Sequence, residues 1–336
     1  MSGGGSRAAA LLLLALYAAA PAAALDVNRA EVRAFIDEVS ERSGLERDWV
    51  SRILAAAETR SAVIDAMNRP AERVLPWFEY RRVFVSERRI RDGREFYALH
   101  RPLLEEVAKR SGVPGEIIAA IVGVESSYGR VSGQFRALDA LATLAFDYPA
   151  RASYFRGELE QFLLLAKSAG FDPLTVSSSY AGALGAPQFM PRAYREYARD
   201  GDGDGRIDLW NDWSDIFASV AHYFIAYGWR PGEPISAEAE LWDPDVEGLP
   251  AGRLEPTQTL AGLRAKGVVF AAAVPDDGSG VFIALRGADA PLYRVGFHNF
   301  GVITRYNHSA MYALAVSELA AAIAAPAPGT PTAPSG

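Results

Sequence analysis

The stretch Pro114–Arg130, PGEIIAAIVGVESSYGR, constrains this chain more than any other. Pro114 opens a helix at a position where its missing N–H costs nothing. Ile117, Ile118, Ile121, Val122 and Val124 then lead to a single acid, Glu125. On a helical wheel Ile118, Ile121, Val122 and Glu125 share one face, so the acid falls inside the apolar stripe. A carboxyl so placed loses hydration, and its pKa is expected to rise towards neutrality. An acid still protonated near neutral pH suits glycosidic-bond cleavage, where a leaving oxygen must be protonated. The plainer reading is a helix-end Glu turned to water or paired with Arg130, because displaced acids are often structural.

With 336 residues the chain has room for two or three compact units. Its charged fraction of 22% is that of a soluble globular protein, and a net charge of −7 argues against a nucleic-acid partner. There is no cysteine, which excludes disulfides, thiolate metal sites, a cysteine nucleophile and an N-terminal lipid-modified cysteine. Arg7, the apolar run Ala8–Ala20 and Ala22-Ala23-Ala24 have the layout of a secretory signal peptide over residues 1–24. The run is short of the roughly 20 residues a membrane span prefers, so cleavage after about Ala24 and export are expected.

Residues 25–79 form an N-terminal helical region by pattern. Val32, Phe35, Ile36 and Val39 recur at helical spacing, as do Val50, Ile53, Leu54 and Ala57, and Arg69-Pro70 stops the second helix. Trp77, Phe78, Tyr80 and Phe84 are dense enough to be core, although aromatics beside polar donors also suit sugar rings. Helices are expected over Phe96–Arg110, around Leu138–Ala145 and over Phe155–Ala169, with Tyr148-Pro149 breaking the last two, so residues 80–229 read as a helix bundle. Over residues 230–300 Pro and Gly crowd in. There Gly267–Phe270, Val281–Leu285 and Tyr293–Phe297 look like short strands, with Asp276-Asp277-Gly278 as a turn, which makes a small α+β insertion. Helical texture returns from Ile303 to Ile323 in a segment, 301–324, expected to dock back on the core. The tail 325–336 lacks the large apolar groups needed to fold.

Two further stretches carry chemistry. Ser179–Pro191, SYAGALGAPQFMP, offers small residues that let backbone approach a ligand closely, and Gln188 with both a donor and an acceptor. A tight helix–turn contact would use the same residues. Asp200–Asn211, DGDGDGRIDLWN, matches the first nine positions of an EF-hand calcium loop. Asp200, Asp202, Asp204, the carbonyl of Arg206 and Asp208 would face the ion. Asn211 stands where a bidentate Glu is usual, so the closing carboxylate falls to Asp212 or Asp215. The plainer reading is a solvated acidic turn. His100, His222, His298 and His308 show no metal-ligand spacing.

Six stretches, in order, resemble the B-type family of bacterial lytic murein transglycosylases. They are RPAERVLPWFEYR, GVPGEIIAAIVGVESSYGR, LDALATLAFDYPARASYFRGELEQFLL, SYAGALGAPQFMP, GDGRIDLW and VITRYNHSAMYALAV. The resemblance implies a mainly α fold: a lysozyme-like helical core with an N-terminal helical region and the small α+β insertion. It implies that Glu125 is the sole catalytic acid and that Ser179, Gln188, Tyr80, Tyr223, Tyr306, Asn307 and Tyr312 line a saccharide groove. Asp200, Asp202, Asp204, Arg206 and Asp215 then match a structural Ca2+ loop. This loop carries one extra residue before Asp215, and Pro187 stands where the family residue is more often small. The implied partner is the peptidoglycan glycan strand, with cell-wall synthesis or remodelling proteins as further candidates. The implied form is a soluble periplasmic monomer. The activity implied is non-hydrolytic cleavage of the MurNAc–GlcNAc bond to 1,6-anhydro ends. A hydrolytic muramidase or a non-catalytic peptidoglycan-binding protein are the alternatives.

Overall fold

The helix Gly115–Ser126 lies at the centre of the body because its sequence offers almost no polar surface. Ile117 to Val124 and Ser126 are all buried, where a one-sided apolar stripe was expected. A helix apolar all round is a core helix. Each fully buried Ile or Val contributes about 1.5–3 kcal/mol. The helices Glu87–Ser111 and Ala310–Ala324 pack against it.

The computed structural model describes residues 23–69, 75–243 and 254–326. The expected signal segment up to Ala22 and the tail from Ala327 lie outside them, as do Pro70 and the Pro/Gly residues Pro244, Gly248, Pro250 and Gly252. Ala23 and Ala24 pair antiparallel with Thr59 and Glu58. The helices Ala30–Ser43, Arg47–Ala55 and Ser61–Met67 deliver Val32, Phe35, Ile36, Val39, Val50, Leu54 and Val63 into the same core as the central helix. Trp77 and Tyr80, on the helix Trp77–Phe84, are 2% and 1% exposed, so this aromatic cluster is core. The next helix begins at Glu87, well before Phe96, because the Ser86 hydroxyl accepts the N–H of Arg89 as an N-cap. Helices Ala137–Phe146 and Ala152–Ala169 follow the expected pattern, separated by the 3-10 turn Pro149–Arg151.

The insertion is a five-stranded antiparallel sheet. Its spatial order is Gln258–Thr259, Ser279–Arg286, Pro291–Gly296, Ser236–Leu241, Val268–Phe270. Two of these strands, Ser236–Leu241 and Gln258–Thr259, escaped the sequence reading, the first because SAEAEL carries no β-branched or aromatic residue. Alternation on Ser279–Arg286 serves two cores. Phe282 joins Leu260, Leu263, Val268, Phe270 and Val295 within the insertion, while Val281 and Ile283 join the main core. Fully buried Asn299 ties the exit and re-entry of the chain: it donates to the carbonyls of Arg230 and Glu233 and accepts the N–H of Arg230.

The C-terminal segment differs from the expected single helix. It is two, His298–Tyr306 and Ala310–Ala324, broken at Asn307 and restarted where the Ser309 hydroxyl accepts the N–H of Tyr312. That break lets Tyr306 and Tyr312 stack, with ring centroids 6.4 Å apart and planes 12° from parallel.

Candidate active site

Glu125 sits in the last turn of the central helix, half-buried while its neighbours Val124 and Ser126 are buried. The helix ends in a left-handed run at Ser127, Tyr128 and Gly129, with φ of 53°, 64° and 78°. Ser127 and Tyr128 have no glycine to excuse them, and such residues are held only by surrounding structure. Arg89 is part of that structure. Its guanidinium donates to the Gly123 carbonyl and, at 3.0 Å, to the Ser127 hydroxyl, while the Tyr128 hydroxyl donates to the Arg89 carbonyl at 2.8 Å. Glycine at 123 is required, because a Cβ there would lie 2.6 Å from the Tyr128 ring. Arg130, one candidate partner for Glu125, instead pairs with Asp92.

Tyr312 bonds to Glu125, its hydroxyl donating to Oε1 at 2.5 Å. Burial, with the Glu125 carboxylate beside it, pushes the Tyr312 phenol well above its usual range, so it stays a donor. Tyr306 spends its hydroxyl on the Pro187 carbonyl at 2.6 Å, and Tyr223 spends its own on the Arg305 carbonyl at 2.6 Å. Both hydroxyls are therefore engaged with backbone carbonyls. Phe189, which the sequence reading passed over, packs against both rings. Tyr80 is stacked with Trp77 and packed on Phe84 at 1% exposure, so it backs the wall of the site without offering a face.

The small-residue turn is built from its own backbone. The Ser179 hydroxyl accepts the N–H groups of Ala181 and Ala183, which leaves its proton as the group to offer a ligand. Gln188 takes a left-handed φ of 54° and turns its amide N–H groups inward, to the carbonyls of Gly185 and Ser132. Its carbonyl oxygen alone remains for recognition, where a donor and an acceptor were expected. Glycine is essential at 185, since a Cβ there would come 2.3 Å from the Leu209 carbonyl. A separate cavity of 1280 Å³ is lined by Gly129, Ser132, Ser177, Asp208 and Trp210, and not by Glu125.

The acidic loop holds two overlapping groups of carboxylates, each with ligand atoms within 4.8 Å of one another: Asp200, Asp202, Asp204, and Asp202, Asp212, Asp215. Both candidate closing acids therefore reach Asp202. Asp215 is buried, and its two oxygens accept the N–H groups of Gly201 and Asp208, closing the loop on itself. Burial pushes the Asp215 carboxyl above its usual range against those two hydrogen bonds. Asp212 caps the helix Trp213–Ala226 through the N–H groups of Ser214 and Asp215. Asp208 turns to Trp210 and Asn211 and is in neither group. An all-oxygen, multiply anionic donor set of this kind fits a hard cation such as calcium.

Residues 28–321 match the family described as the transglycosylase SLT domain. The chain is 39% identical over 306 residues to the membrane-bound lytic murein transglycosylase B of Escherichia coli strain K12, covering 88% of this chain and 83% of that protein. The catenated lytic transglycosylase SltB1 of Pseudomonas aeruginosa superposes with a TM-score of 0.84 at 45% identity, over 88% of this chain and 97% of that one. The lytic transglycosylase SLT35 of Escherichia coli, in complex with calcium, superposes with a TM-score of 0.81 at 38% identity, over 90% of this chain and 96% of that one. The chain thus belongs to the transglycosylase SLT family. It is a lytic transglycosylase acting on peptidoglycan, with the mainly helical, lysozyme-like fold of that family.

Proposed function

We propose that Glu125 performs both proton transfers of the lytic reaction. Protonated, it gives its proton to the oxygen joining N-acetylmuramic acid to N-acetylglucosamine, and the C1–O bond breaks. The muramyl N-acetyl carbonyl steadies the developing positive charge at C1. Glu125, now a carboxylate, takes the proton from the C6 hydroxyl of the same sugar as that oxygen bonds to C1. The 1,6-anhydro ring closes, and no water is consumed. A single acid suffices here, whereas hydrolytic glycosidases place a second carboxylate across the bond. The SSYG turn and the small-residue stretch carry none.

The observation that carries this reading is the 2.5 Å hydrogen bond from Tyr312 to Glu125 at the end of the buried helix. It fixes the carboxyl while the Tyr306 ring, stacked on Tyr312, walls the same space. The Ser179 proton orients the N-acetyl group, and Gln188 accepts from the glycan. Asn307 and Tyr223 complete the lining, with Tyr80 behind it. The glycan strand is the partner, and the chain works as a monomer in the periplasm. No helix among the described residues is long and apolar enough to cross a membrane.

Asp200, Asp202, Asp204 and the Arg206 carbonyl, closed by Asp215 or Asp212, would hold a calcium ion. Such an ion would neutralise the clustered carboxylates and clip the loop, with no part in the proton transfers. Two measurements test the chemistry. Digestion of purified sacculi should release muropeptides one water lighter than hydrolytic products; only water-bearing ends would mark a muramidase. Glu125→Gln should still bind glycan and lose turnover, and a variant near wild-type activity would remove Glu125 from the reaction.

A further inference from the structure

The rings beside Glu125 do not end at Tyr306. Tyr223 lies 4.8 Å from Tyr306, Tyr227 lies 4.7 Å from Tyr223, and Tyr197 lies 5.5 Å from Tyr227. The five tyrosines 312, 306, 223, 227 and 197 form one continuous file, drawn from three separate parts of the chain. Its polarity changes along its length. Tyr312, Tyr306 and Tyr223 send their hydroxyls inward to Glu125, Pro187 and Arg305. Tyr197 and Tyr227 instead bond hydroxyl to hydroxyl, at 3.1 Å, on the surface. Tyr227 is 37% exposed, and Tyr197 is half-buried beside it.

The file therefore begins beside the reacting acid and ends at one solvent-facing ring, Tyr227, braced by half-buried Tyr197. Tyr197 also packs edge-on against Tyr223, with ring centroids 4.9 Å apart, so Tyr223, Tyr227 and Tyr197 close on one another and Tyr227 is the ring left facing solvent. Tyr197 closes the helix Pro191–Tyr197 and Tyr227 caps the helix Trp213–Ala226, and each helix already buries its own anchors, Tyr194 and Phe224. Rings with an apolar face and a polar rim suit pyranose sugars, whose C–H faces stack while their hydroxyls bond at the edge. Binding energy gathered on sugars remote from the cleaved bond can be used at the reacting centre.

We propose that Tyr227 and Tyr197 form an outer saccharide subsite, taking an N-acetylhexosamine unit of the glycan beyond the pair cleaved at Glu125. This rests on the reading of Glu125 as the reacting acid, and makes the enzyme sensitive to glycan length. The ring faces do the binding, with the rings placed by their contacts to Tyr223 and to each other.

The test measures binding of chito-oligosaccharides, a dimer and a hexamer, to full-length Glu125→Gln protein with and without changes at Tyr227. Were the reading of Glu125 itself wrong, the parent Glu125→Gln protein would turn over glycan before any tyrosine is altered. With that parent inactive, Tyr227→Ala should weaken the hexamer roughly three- to tenfold and leave the dimer unchanged. Tyr227→Leu, which keeps a large apolar side chain without the ring, should behave as Tyr227→Ala does and guards against loss of fold. Tyr227→Phe and Tyr197→Phe break the hydroxyl pair but keep the rings, and should hold hexamer affinity within about twofold. Equal losses for dimer and hexamer, no loss for either, or a Phe variant as weak as Ala would each overturn the subsite.

Discussion

The hydroxyl of Tyr312 donates to Oε1 of Glu125 at 2.5 Å across 187 residues of sequence. The bond adds a polar tie between the buried central helix and the helix that packs on it after the insertion. A donor of this kind favours the ionised form of the carboxyl it binds.

Tyr312→Phe removes that donor and little else. With the carboxylate less supported, the protonated acid persists to higher pH, so the alkaline limb of the pH–rate profile should move up. A hydrogen bond to a charged group, about 1.5 kcal/mol at the low end, corresponds to roughly one pH unit. The profile of kcat/KM against pH checks this. An unmoved or downward-shifted limb would show that Tyr312 has no hold on the ionisation of Glu125.

Arg89 supports the same acid from behind, through the Gly123 carbonyl and the Ser127 hydroxyl. Burial pushes the Arg89 guanidinium below its usual value, yet it remains far from neutral at any working pH. A lysine cannot span both acceptors with a planar fork. Arg89→Lys should therefore lower kcat about tenfold and leave KM within about twofold, and Arg89→Met should cost about 1–3 kcal/mol of stability as well. Steady-state kinetics and thermal melts decide. Wild-type kcat in both variants would leave the left-handed turn held by other contacts.

How much of this was legible in the sequence differs between parts of the site. Glu125 stood out because it is the only acid between Glu116 and the end of a run of Ile, Val, Ala and Gly. The acidic loop was legible for the same local reason, its ligands being spaced along a few residues. Ser309 before an apolar run was a helix-start signal that would have split the last helix, and so separated Tyr306 from Tyr312. Nothing local announces Arg89, which reaches Gly123 only because the two helices cross. Tyr197 and Tyr227 are equally silent, since each is an ordinary helix-end tyrosine until two helices bring their hydroxyls together. The inward turn of the Gln188 amide depends on its left-handed backbone and on the Ser132 carbonyl, neither visible in SYAGALGAPQFMP.

Calcium should stabilise the fold by mass action. At a free concentration a hundredfold above its Kd, one site found only in the folded state contributes about 2.7 kcal/mol. Asp202 belongs to both carboxylate groups of the acidic loop, so Asp202→Asn should abolish the calcium-dependent rise in Tm. Thermal melts with calcium and with a chelator check it. Identical Tm values in the wild type under both conditions would remove calcium from the account.

Glu158 and Glu160, two residues apart on the helix Ala152–Ala169, should respond to pH in opposite senses. Both are buried, at 3% and 6% exposure. Burial pushes the Glu158 carboxyl above its ordinary 4.5, and the N–H of Arg192 only partly offsets this. Burial acts on Glu160 too, but the donors of Arg42 and Ser43 outweigh it and hold that carboxyl below 4.5. By linkage, the fold prefers Glu158 protonated, so its contribution is full below the unfolded-state value and declines as pH rises towards the folded-state value. For Glu160 the contribution is present above the unfolded-state value and is lost as pH falls through the folded-state one. Glu158→Gln keeps an acceptor for the N–H of Arg192 and should raise Tm at neutral pH, with the gain vanishing in acid. Glu160→Gln should lower stability at neutral pH by about 1–3 kcal/mol, with the deficit closing as the medium is acidified. Paired melts at neutral and acidic pH separate the two, and a shift of both variants in one direction at neutral pH would refute the assignment of opposite signs.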